Sequence, residues 1–177
     1  RGACMTGAVK DLRVVVLVSA CCRCVGGEHG RKDGCDLVGQ GKRTMDRAHK
    51  GRAGGVAGAD KRNTLMNIAV VDSGGNLKAF VRMDGAFLAS IDIAIKKAVT
   101  ARSLNMSTLE LSKVSQPGQE LYGIEVTNGG MAIFGGGELL LDKNGVIIGA
   151  VGVSGGSVAE DVAVAKAGAS ALGAAPK

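Results

Sequence analysis

"MNIAVVDSGGNLKAFVRMD", residues 66–84, decides how the chain is read. An apolar run at 68–71 meets Asp72-Ser73-Gly74-Gly75-Asn76, after which Leu77, Ala79 and Val81 alternate with Lys78, Phe80 and Arg82. Turn-forming residues between two strand-like runs mark a hairpin, so two antiparallel strands are expected here.

Towards the C-terminus, residues 86–104 place Phe87, Leu88, Ile91, Ile95, Ala98, Val99 and Leu104 at helical period. Ser107-Thr108-Leu109-Glu110 has the form of a capping box and predicts a short second helix, stopped by Gln116-Pro117-Gly118. "LYGIEV" and "TNGG" then read as a short extended piece and a turn. Residues 131–156 read as three extended runs, at 131–134, 138–141 and 146–153, separated by Gly135-Gly136-Gly137 and by Asp142-Lys143-Asn144-Gly145. A second capping box, Ser157-Val158-Ala159-Glu160, opens an Ala/Val-rich helix running to about Leu172. On the N-terminal side, residues 44–63 form a weak helix with Met45, Ala48, Arg52, Val56 and Ala59 near one stripe. Gly51, Gly54, Gly55 and Gly58 interrupt it, and each costs about 1 kcal/mol against Ala. The order is α+β, with a five-stranded antiparallel sheet flanked by helices.

At 177 residues the chain suits one domain. Hydrophobic residues make up 46% and aromatic residues only 2%, so the core must be built from Val, Ile, Leu, Ala and Met. Charge is uneven: residues 1–66 carry 13 Lys/Arg against 6 Asp/Glu, and residues 67–177 carry 9 against 10. All five cysteines and both histidines also lie in that first part. Residues 1–43 read as an N-terminal extension, disordered or non-native, ahead of a domain at 44–177, because Gly/Arg-rich sequence without period buries too little apolar surface to offset its ordering entropy. Two sharper readings of the extension compete. One is a lipoprotein signal, with Lys10 and Arg13 before "VVVLVSA" and a cleavage box ending at Cys21. The other is a zinc knuckle of Cys21, Cys24, His29 and Cys35, which lacks stacking aromatics. No run is long enough for a membrane span, and the expected location is cytoplasmic, with an exported lipoprotein as the alternative.

The segments "NIAVVDSGGNLKAFVRMDGA", "KKAVTA", "SQPGQELYGIEVTN", "FGGG" and "GAVGVSGGSVAED" together resemble the GlcG/HbpS-like family, which includes the C-terminal domain of PduO and the OrfY proteins. The resemblance covers about residues 64–173, and its "QPGQ-LYG-TN" stretch leans towards the OrfY branch. It implies a profilin- or PAS-like fold, self-association into homo-oligomers, and a binding role, with haem or a corrinoid as the cofactor and diol or glycerol utilisation as the setting.

A tetrapyrrole needs an apolar slot, partners for its carboxylates and usually an axial ligand. His49 is chemically the best ligand, with Tyr122, Met83 and Met131 as alternatives, although Arg47, Lys50 and Arg52 also suit His49 to a solvated helix face. Arg82 and Lys97 are candidates to hold a ligand carboxylate, and Arg82 and Asp84 bracket Met83 at a strand end. Gly135, Gly136 and Gly137 permit close backbone approach, to a ligand or to a neighbouring strand. Ser154, Gly155 and Gly156 turn a strand into a helix whose first N–H groups are available to an anion; the same glycines also serve a tight turn. No histidine or cysteine follows residue 49, so a Ser/His or Cys/His pair cannot be assembled within the domain. The alternative function is an enzyme acting on a small carbonyl or hydroxy acid, with Asp84 or Asp161 as base and Lys97 or Arg82 holding the carboxylate. Scarce aromatics argue against base stacking, so no nucleic acid partner is expected.

Overall fold

Two hairpins built on the same turn chemistry carry the sheet. Asp72 Oδ1 accepts from the N–H groups of Gly74 and Asn76 at 2.9 and 3.0 Å, and Asp142 Oδ1 accepts from those of Asn144 and Val146 at 2.8 and 3.0 Å. Gly75 and Gly145 supply the left-handed residue of each turn, with φ of 79° and 77°. The computed structural model describes the backbone of residues 37–172 and the side chains of 45–172. The cysteine-rich signal and knuckle readings lie outside those residues.

The elements are α1 (Leu37–Asp60), β1 (Asn67–Asp72), β2 (Leu77–Arg82), α2 (Ala89–Leu104), α3 (Thr108–Val114), β3 (Gly137–Leu141), β4 (Ile147–Ser154) and α4 (Val158–Ser170). The sheet is antiparallel with order β2-β1-β4-β3. Among the described residues it has four strands, not the five expected. Residues 131–134 are apolar but extend no ladder, because their backbone bonds go elsewhere: Met131 N–H donates to Glu125 O at 3.0 Å and Ala132 N–H to Thr100 Oγ1 at 3.0 Å. The "LYGIEV" segment is likewise not extended; Ile124–Val126 is a single 3-10 turn.

Alternation along β1 and β4 sends side chains to both faces of the sheet. Ile68, Val70, Val151 and Val153 pack with Ala48, Ala59, Val164, Ala165 and Ala169 of α1 and α4. Ala69, Val71 and Ala150 pack with Ala94, Ala98 and Ala101 of α2. The result is three layers, with α1 and α4 on one face and α2 on the other.

The buried stripe of α2 is not the one its bulky residues announce. Ala94, Ala98 and Ala101 face the sheet, whereas Val99 is exposed and Phe87 and Leu88 precede the helix at 69% and 70% exposure. The cause is close approach: a Cβ on Gly152 of β4 would fall on the Ala94 carbonyl oxygen and 2.5 Å from Ala98 N. Only small residues fit such a contact. The glycines of α1 act in the same way. A Cβ on Gly58 would come within 2.8 Å of Ala167 Cβ, and one on Gly54 would meet Ala171 Cβ, so residues that weaken the isolated helix are those that seat it on α4.

Candidate functional site

Antiparallel order brings the ends of all four strands to one margin. Asn67 pairs with both Arg82 and Ser154, and Gly137 pairs with Gly152. Arg82, Met83 and Asp84 leaving β2, Ser154 to Gly156 leaving β4, and Gly135 to Gly137 entering β3 therefore share this margin. His49 does not. Its neighbour Ala48 lines a hollow with Val70, Val71 and Asp72, at the opposite end of the sheet, and the imidazole is exposed.

Lys97, buried in α2, reaches through to α4. Its Nζ donates to Asp161 Oδ2 at 2.6 Å and to Val153 O at 2.9 Å, and it sits 4.6 Å from the centroid of the Phe134 ring. Asp161 is also buried, and its Oδ1 accepts from Gly156 N–H at 3.1 Å. Burial pushes the Lys97 ammonium below its ordinary pKa, opposed by the hydrogen bond and charge of Asp161. Burial pushes the Asp161 carboxyl up, opposed by Lys97 and by the Gly156 and Gly155 N–H groups. Each side chain is thus the other's partner, and neither is open to a substrate in the holder and base roles considered for them.

The glycine run beside this pair is closed over by the chain itself. A Cβ on Gly136 would lie 2.7 Å from Lys97 Nζ, one on Gly137 2.5 Å from Lys97 O, and one on Gly135 2.6 Å from Val162 Cγ2. Gly137 N–H donates to Thr108 Oγ1 at 2.8 Å. The glycines admit α2, α3 and α4 rather than leaving open space. Next to them, Glu138 is buried on β3, and burial pushes its pKa up to about 7, with Lys166 opposing and Glu110 adding to the rise.

Several N–H groups at the start of α4 are satisfied by nearby side chains. Ser157 N–H donates to Glu160 Oε2 at 2.8 Å and Ser157 Oγ accepts from Glu160 N–H at 3.4 Å, while Gly156 N–H ends on Asp161. The protein's own carboxylates, Asp161 and Glu160, thus take up the Gly156 and Ser157 N–H groups beside this turn.

What remains open is the loop after β2. Arg82 is exposed and folds back so that Nε and Nη2 donate to Ala86 O at 3.3 and 3.1 Å. Met83 N–H donates to Met66 O at 3.0 Å, and Met83 Sδ accepts from Met66 N–H at 3.5 Å. Asp84 is exposed. Leu65, Phe87 and Leu88 stand around this loop at 50%, 69% and 70% exposure, with Leu65 Cδ1 against Gly85. Buried Asn67 ties strand to loop, its Nδ2 donating to Phe87 O at 3.0 Å, while its Oδ1 has no partner. Three of the four aromatic residues, Phe87, Phe134 and Tyr122, lie outside the core of a chain that has few to spare. The sequence carried this signal in its composition, yet Phe87 and Leu88 were absorbed there into a helical stripe. Tyr122 and Met131 belong to the 115–134 segment, where Met131 Sδ is 3.9 Å from Thr127 Oγ1.

Among the described residues no group of three His, Cys, Asp or Glu is placed to hold a metal ion, and no helix is long and apolar enough to cross a membrane. The model of the HbpS-like family, described as haem degrading protein HbpS-like, matches residues 44–170. The crystal structure of Klebsiella pneumoniae ORFY is similar at 40% identity and a TM-score of 0.70, over 73% of this chain and 90% of that one. A crystal structure of a PduOC:heme complex is similar at 37% identity and a TM-score of 0.68, over 72% and 92%. The corrinoid adenosyltransferase PduO of Salmonella typhimurium is 40% identical over 105 residues, which is 59% of this chain and 31% of PduO.

Proposed function

Because the chain belongs to the HbpS-like family, we propose that it binds a haem-type tetrapyrrole at the margin formed by Leu65 and the 82–88 loop, as a non-catalytic accessory to corrinoid-linked diol or glycerol metabolism. The observation that carries this reading is the juxtaposition of exposed Leu65, Phe87 and Leu88 with the Arg82 guanidinium. A tetrapyrrole offers a flat apolar face edged by carboxylates; the three apolar side chains suit the face and the planar Arg82 fork suits a carboxylate. The likeness to a relative solved with heme supports the same class of ligand. When bound, haem would supply a redox-active iron. Arg82, Leu65, Phe87 and Leu88 hold and orient the macrocycle. Adenosyl transfer is PduO's named activity, and this chain matches only 31% of that protein.

The test is titration of the purified chain with haemin and, separately, with cobalamin, followed by visible absorption. A saturable spectral change with haemin that Arg82→Gln and Phe87→Ala weaken supports the assignment. No spectral change with either compound overturns the tetrapyrrole reading. A haemin response abolished by His49→Ala but unmoved by the other two substitutions places the site at the opposite end of the sheet and overturns the margin.

A further inference from the structure

At the end of the sheet away from Lys97, a cleft of about 360 Å³ opens between α1, the β3–β4 turn and the end of α4, with Arg47, Lys50, Asp142, Lys143, Ile148 and Leu172 in its lining. A hollow of about 20 Å³, also lined by Arg47 and Ile148, adjoins it over Val70 and Leu140. Two acids of this end, Asp72 and Asp142, are engaged within the fold. Asp72 Oδ2 pairs with Lys78 Nζ at 3.3 Å, and Asp142 Oδ1 accepts the two N–H groups of its own turn. Among the described residues, Arg47, Lys50 and Lys143 form no ion pair. Arg47 and Lys50 are three apart on α1 and so share a face, while Lys143 approaches from the turn. Three cations and one carboxylate thus surround a space with an apolar floor, at the small end of the range for ligand sites.

We propose that this cleft binds a small organic dianion. Its short apolar body rests on Ile148 and Leu172, and its two anionic groups, carboxylate or phosphate, are held by Arg47 and Lys50 on one side and by Lys143 on the other. Arg47 gives planar, two-point recognition and the lysines give point charge. The excess of two positive charges in the lining matches a doubly charged ligand. The cleft and the 82–88 loop lie at opposite ends of the sheet, so either site can fail without the other.

The test is calorimetric titration of the full chain with succinate, with inorganic phosphate and with neutral succinamide. Saturable succinate binding is expected, weakened about tenfold by Arg47→Gln and by Lys143→Gln, with no succinamide binding and with haemin binding unchanged in both variants. Both substituted residues are exposed, so the fold is retained. Absence of succinate binding, with or without phosphate binding, overturns the proposal. So does succinate binding that neither substitution weakens.

Discussion

Lys97 Nζ and Asp161 Oδ2 meet at 2.6 Å although 64 residues separate them, and both side chains are withdrawn from solvent. This contact crosses the sheet margin and fastens α2 to α4. A buried pair adds little over an apolar pair of the same shape, but removing one member strands the other without water or counter-charge. Lys97→Met is expected to lower unfolding free energy by about 3–5 kcal/mol in urea titrations followed by circular dichroism. Lys97→Met combined with Asp161→Leu should recover most of that loss. A double variant as unstable as the single one would show that pairing is not the cause.

Glu138 makes stability depend on pH. Its carboxyl ionises near 7 in the folded chain against an ordinary 4.5, so between those values the folded state keeps a proton that the unfolded state releases. Stability is therefore greatest below about pH 4.5 as far as this group is concerned, and falls as pH rises towards 7, by an amount on the order of 3 kcal/mol. Glu138→Gln should flatten that slope, read as urea midpoints at pH 5 and pH 8.

Gly152 measures how closely α2 lies on the sheet. Gly152→Ala drives a methyl onto the Ala94 carbonyl oxygen, and backbone there cannot swing aside. A loss of about 3 kcal/mol is expected, well above the change at an exposed site. A midpoint within error of wild type would mean that α2 shifts freely.

The 82–88 loop should separate binding from folding. Phe87→Ser and Leu88→Ser remove exposed side chains and should change stability by only about 0.5 kcal/mol, while weakening haemin binding roughly tenfold. Thermal melts and absorption titrations on the same preparations check both halves.

Local chemistry was the legible part of this fold. Asp72-Ser73-Gly74-Gly75-Asn76 and the boxes at Ser107 and Ser157 fold by contacts within five residues, and all three form as their sequences require. Choices made by tertiary packing were not legible. Residues 131–134 have a strand's composition, but Thr100 and Glu125 claim their N–H groups, and nothing local announces either partner. On α2 the helical period includes Ala98 and Ile95, which do pack towards the sheet, but passes over Ala94, whose small side chain is needed because Gly152 of β4 lies directly beneath it. The sequence offers Lys97 as a holder of a carboxylate and Asp161 as a base, while their pairing with each other depends on strand order. Phe87 and Leu88 fit the helical period of residues 86–104, but hydrophobicity alone does not say which way a residue faces.

The placement of the aromatics also decides how this protein is seen by light. With no tryptophan and with its single tyrosine, Tyr122, 64% exposed on a surface segment, the chain's ultraviolet emission reports on that segment and is nearly blind to the interior. Melting the three layers will scarcely dim or brighten it, whereas a coloured guest settling close by would quench it. The same scarcity that leaves the core with Phe80 as its one ring makes the native fluorophore a bystander to folding and a witness to visitors.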